Sequence, residues 1–162
     1  MFSNQQINTP RSLLFSLLFF GAALTHLCEP VPAEYKAFFS QDWARQKEEA
    51  KGFSLEKQIE YYLAGRKYVH PPSSTLLYVI AQRGKAAIPA LVERMKNERS
   101  DAPKVDLIEV VRNINDFHDD VSGDKDLIEQ LRTIASGMYD AGRKARAEEM
   151  VTDIVERRRP PN

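Results

Sequence analysis

Leu76 to Met95, LLYVIAQRGKAAIPALVERM, decides the fold. Leu76, Leu77, Ile80 and Ala81 recur at the spacing of one helix face, and Ile88, Leu91, Val92 and Met95 repeat that spacing. Between the two runs stands Gly84, placed as a C′ residue with left-handed backbone freedom. Pro89 suits the first turn of the following helix, where a missing amide costs nothing. Ser73, Ser74 and Thr75 offer hydroxyls to cap the first helix. The stretch reads as a helix, a tight turn and a second helix.

The pattern continues in both directions. Asp101 and Pro103 open a helix carrying Leu107, Val110, Val111 and Ile114, followed by a polar loop from Asn115 to Gly123. Leu127, Leu131, Ile134 and Met138 mark another helix. Ala147, Met150, Val151 and Ile154 mark the last, which Pro160 terminates. Toward the N-terminus, Ser54 caps a helix with Leu55, Ile59, Tyr62 and Leu63, stopped near His70 by Pro71 and Pro72. Before it, Tyr35, Phe38, Phe39 and Trp43 fall on one side of a helix that Gly52 ends. Few glycines, no Asn-Gly or Asp-Gly turn and no alternating Val/Thr/Tyr runs argue against a sheet. The expected fold is all-α, with six or seven short helices made antiparallel by short turns, in a helical repeat or a compact bundle.

Residues 76–95 resemble a HEAT-type repeat: a helix ending at Gly84, a tight turn, then Ala87, Ile88, Pro89, Leu91 and Val92 opening the next helix. Residues 125–158 form another helix pair without the proline signature. More broadly, residues 54–158 resemble small exported bacterial HEAT-like proteins of unassigned activity. The resemblance implies stacked helix pairs whose terminal units hide apolar faces. Residues 34–52 then act as a capping helix, or as a loosely attached amphipathic arm.

Ser12 to Cys28, SLLFSLLFFGAALTHLC, is an uncharged apolar run following Arg11. A basic start, an apolar stretch of about 7–15 residues and a small-residue cleavage site together form a secretory signal. Residues 1–33 are therefore expected to be a signal peptide, cleaved before Glu34 after Val31-Pro32-Ala33, with a cut near Ala23 as the second choice. The run falls short of the roughly 20 apolar residues that span a bilayer. Retention as a membrane anchor through residues 12–28 is the alternative. Cys28 is also a candidate lipid-bearing cysteine, but bulky Leu27 occupies a position where lipoprotein processing needs a small residue. Cleavage after Ala33 would leave residues 34–162 as one cysteine-free domain, stabilised by packing and not by disulfides.

The 23 basic and 23 acidic residues balance, so no overall field recruits nucleic acid. Oxygen donors concentrate near Asn115 to Asp126, the donor type that binds a hard cation such as calcium. Setting Gly123 at the sharp-turn position of an EF-hand puts Asp120, Ser122, Asp126 and Glu129 at ligand positions, with His118 in place of the leading Asp. The structural alternative is a solvated loop before a helix N-terminus favoured by Asp124 or Asp126. No His-Glu-x-x-His, nucleophile elbow, phosphate loop or dinucleotide fingerprint occurs, so no catalytic residue and no cofactor is predicted. Tyr61, Tyr68, Arg66 and Lys67 are candidates for an interaction ridge, unless the tyrosines pack their rings inward. Arg143, Lys144, Arg146 and Arg157 to Arg159 are further basic groups.

These readings lead to an exported, periplasmic or secreted protein that acts as a non-catalytic interaction or scaffold module for an unknown envelope partner. A metal-dependent or hydrolytic enzyme centred on residues 115–126 is one alternative, and a membrane-tethered structural component is another.

Overall fold

The computed structural model describes residues 30–72 and 74–157. Residues 1–29 of the expected leader, with the anchor segment 12–28 and Cys28, the capping hydroxyl of Ser73 and the terminal Arg158 and Arg159 lie outside the described residues, whereas Ala33 of the expected cleavage site is the first residue of a helix. The chain divides between Pro30 and Val31, and every helix reported below belongs to the second unit.

Among the described residues there are eight α-helices, one 3₁₀ turn and no strand. They are α1 (Ala33–Phe39), α2 (Trp43–Lys51), α3 (Leu55–Tyr68), α4 (Thr75–Ala81), α5 (Ile88–Asn97), α6 (Asp101–Phe117), α7 (Lys125–Ser136) and α8 (Ala141–Glu156). The 3₁₀ turn Gly84–Ala87 joins α4 to α5. The protein is all-α, as the periodicity indicates. No described helix is long and apolar enough to cross a membrane.

Carboxylates and one hydroxyl set several helix starts by accepting an otherwise orphaned backbone amide. Asp42 accepts from Arg45 N, Ser54 from Lys57 N, Asp124 from Leu127 N and Asp140 from Arg143 N. Ser74 holds the N-cap position of α4, but its side chain makes no capping bond.

The helix α6 lies at the centre. Leu107, Ile108, Val110, Val111 and Ile114 are wholly buried, packed chiefly against α8 and α4. The facing stripe of α8 is Ala147, Met150, Val151 and Ile154. Each fully buried side chain of this size contributes about 1.5–3 kcal/mol relative to exposure. Two buried amides fix the connections around this core. Asn115 Nδ2 donates to Ile154 O (3.4 Å) and its Oδ1 accepts from Val121 N (3.0 Å). Gln58 Nε2 donates to Ala50 O (2.7 Å), while its Oε1 accepts from Arg83 Nε (2.7 Å).

Three details differ from the sequence-based expectation. The single helix expected from Tyr35 to Lys51 is broken into α1 and α2, which accounts for the eighth helix. Ser40 Oγ bonds back to Ala37 O, and Asp42 starts a new helix at Trp43. Phe38 stays on the buried side, at 2% exposure, whereas Trp43 leaves the stripe and stands 70% exposed. The polar loop expected from Asn115 begins only at His118, because Asn115 is buried within α6 and held by two bonds. Gly84 does take a left-handed backbone (φ +61°), yet α4 has already ended at Ala81, so the glycine opens the 3₁₀ turn.

Candidate functional site

Three of the four large apolar side chains exposed among the described residues mark one place on this fold. Trp43, Tyr78 and Phe117 are 70%, 49% and 65% exposed, and all three line a single cleft of about 610 Å³. Trp43 and Lys47 project from α2 one turn apart. Thr75, Tyr78 and Gln82 form a row along α4 and its C-cap. Phe117 and His118, where α6 ends, complete the lining together with Ser74. Tyr78 points outward because Leu76, Leu77, Val79 and Ile80 occupy the buried sides of α4. Phe117 is the last residue of α6, beyond the reach of the core that covers Ile114. An aromatic surface of this kind, rimmed by polar groups, is what binding surfaces use and solitary exposed side chains do not make.

Among the described residues no carboxylate lines the cleft, although four aspartates lie close by in sequence. Asp116 faces Arg157 (3.6 Å). Asp119 Oδ2 accepts from Lys85 N (2.6 Å), and Asp120 Oδ1 accepts from Ser122 N and Oγ (2.9 and 2.7 Å). Asp124 caps α7. Lys47 is the charged side chain of the lining.

The candidate cation ligands are not assembled. His118 belongs to the aromatic cleft, whereas Asp126 and Glu129 line a separate depression with Lys96 and Ile134. Asp120 and Ser122 bond to each other. Gly123 does not take a left-handed turn; among the described glycines only Gly84 does. No group of three or more His, Cys, Asp or Glu among the described residues is placed to hold a metal ion.

Tyr61 takes the inward-packed alternative to an exposed ridge. Tyr61 is 9% exposed, with its ring 5.1 Å from those of Phe38 and Phe53 and 5.0 Å from that of Tyr35. Tyr68 is half-buried and stacks on Tyr35 (6.3 Å). Phe53 comes from the connection just before α3, whereas the docking of α1 supplies Tyr35 and Phe38. Gly65 leaves room for the same helix: a Cβ there would lie 2.9 Å from Phe39 Cζ.

Arg66 and Lys67 do line a second groove, of about 590 Å³, between α3 and the start of α6. Its charges already have partners. Arg66 holds Asp106 (2.8 Å), Arg94 pairs with Glu98, and Tyr35 Oη donates to Glu60 (2.6 Å). That bond to Glu60 pushes the Tyr35 hydroxyl well above its usual range, and burial is the largest influence raising Asp106. Lys67 Nζ lies 4.7 Å from the Tyr68 ring centre. A polar ligand here would have to displace existing pairs, so the aromatic cleft is the better candidate surface. The basic residues of α8 are engaged too: Arg146 approaches Glu109 (3.9 Å), Arg143 approaches Asp140 (4.0 Å), and Lys144 donates to Ser136 O (3.1 Å).

Trp43, Tyr78 and Phe117 are the functional candidates that sequence reasoning missed. Asp42 ahead of Trp43 is a legible helix start, and Tyr78 falls off the apolar stripe of its own helix. Neither signal shows that α6 ends beside them. No family model, curated protein or solved structure matches the chain.

Proposed function

We propose that this chain is an exported bacterial envelope protein that works by binding another protein, without catalysis, through the Trp43–Tyr78–Phe117 cleft. The observation that carries this reading is the convergence of three exposed aromatic rings from three different helices on one concavity. Aromatic side chains offer large contact area at low entropic cost, and they dominate the energetics of interfaces. The apolar leader read from residues 12–28 supplies the compartment, and the HEAT-type resemblance of residues 76–95 belongs to the same reading. Fold alone assigns no role, so the proposal rests on the cleft.

The test is photo-cross-linking in the native cell. A photoreactive amino acid replaces Trp43 in the full-length chain, and in a parallel strain Tyr139, which is 91% exposed and lies off the cleft. A discrete adduct from position 43 in the envelope fraction, without a counterpart from position 139, is the expected result. Identical adduct patterns from the two positions, or none from position 43, would remove the cleft from consideration.

A further inference from the structure

The chemistry of the cleft narrows its occupant. Trp43 and Lys47 form a ridge one helical turn long, about 6 Å, and the row from Tyr78 toward Thr75 and Gln82 extends to about 10 Å. That length takes two or three extended residues at about 3.3 Å each, with one apolar side chain seated among the rings. Ser74 and Gln82 offer hydrogen-bonding groups at the edge of an otherwise aromatic surface.

Charge sets the remaining preference. Lys47 is the charged group of the lining, and among the described residues no carboxylate lines the cleft beside it. The acidic residues adjacent in sequence to the lining have partners of their own: Asp42 with Arg45, Glu48 with Lys51, Asp116 with Arg157, and Asp119 with the Lys85 amide. The C-terminal segment of the chain itself carries Arg157, Arg158 and Arg159, the wrong sign for this rim. We infer that the cleft receives a short acidic peptide segment of a partner protein, with an apolar or aromatic anchor beside its carboxylates. This rests on the proposed binding role and specifies the partner's chemistry.

The experiment pans a library of random displayed peptides on the immobilised full-length chain and on its Lys47→Glu and Trp43→Ala variants. Circular dichroism checks that each variant is folded, which the exposure of Trp43 favours. Selected peptides should combine Asp or Glu with an aromatic or large apolar residue. Their affinity should fall by about tenfold or more in Trp43→Ala. Lys47→Glu should shift selection toward Lys- and Arg-bearing peptides. Peptides that lose affinity in Trp43→Ala but show no acidic bias, and no response to Lys47→Glu, would overturn the acidic chemistry while leaving the cleft a binding site. Selection of no peptide, alongside a folded chain that binds acidic oligosaccharides through Trp43, would overturn the peptide assignment and the protein-binding role together.

Discussion

Asp119 and Gly84 lock the turn between α4 and α5 to the end of α6. Asp119 Oδ2 lies 2.6 Å from the Lys85 amide, and a Cβ on Gly84 would stand only 2.0 Å from that same oxygen. The glycine is required twice, by its φ of +61° and by the carboxylate above it. Gly84→Ala should cost about 1–3 kcal/mol in denaturant unfolding. Asp119→Ala alone should cost about 1.5 kcal/mol by removing a charge-assisted bond. In the double variant the two costs should sum to more than the measured loss, because the clash disappears with the carboxylate. Strict additivity would show that backbone strain alone sets the glycine requirement.

Asp101 ties the start of α6 to the loop before α8. Its Oδ2 accepts from Tyr139 N and Asp140 N, both at 2.8 Å, and bonds from these amides hold the carboxyl below its ordinary value of 3.8. A depressed folded-state value means stability that is present above 3.8 and lost as pH falls through the lower folded value. Wild type should therefore exceed Asp101→Asn in stability at neutral pH, and the gap should close in acid. Urea midpoints measured for both proteins from about pH 7 down to about pH 2.5 check this. A gap independent of pH would mean that Asp101 contributes shape and not charge.

Asn115 shows why a polar letter in the sequence is a poor guide to a loop. Asn115→Ala should destabilise by about 2 kcal/mol, because the buried Val121 amide loses its acceptor and Ile154 O loses a donor. Hydrogen exchange at Val121 should quicken by more than that at Leu127, whose amide is held by Asp124.

Phe38 and Trp43 separate architecture from surface. Phe38→Ala should cost about 3–5 kcal/mol, since the ring is 2% exposed among Phe39, Phe53 and Tyr61. Trp43→Ala and Phe117→Ala should each shift thermal stability by no more than about 0.5 kcal/mol. Thermal melts of the three variants decide the matter. A large loss in Trp43→Ala would place that ring in the core and not on a working face.

The fold was legible where burial follows a local period. Leu107, Val110, Val111 and Ile114 recur at helical spacing, and all four are buried in α6. The cleft was not legible, because its members are defined by what fails to cover them. Trp43 satisfies the spacing of the Phe38 stripe, but a three-residue break capped by Asp42 restarts the helix and turns the ring outward. Tyr61 satisfies the spacing of an exposed ridge, but α1 covers it. In both cases a contact or a cap outweighs periodicity. The aspartates after Asn115 suggested a cation loop because their separate backbone and ion-pair partners do not register in the sequence.

Trp43 is the chain's single tryptophan, so its fluorescence reports the cleft directly. The decisive measurement is its emission in the full-length protein during titration with the partner recovered by cross-linking. A blue shift with reduced acrylamide quenching, both lost in Phe117→Ala, is the result expected if the aromatic cleft is the binding surface. Saturable binding of that partner with Trp43 emission and quenching unchanged would contradict it.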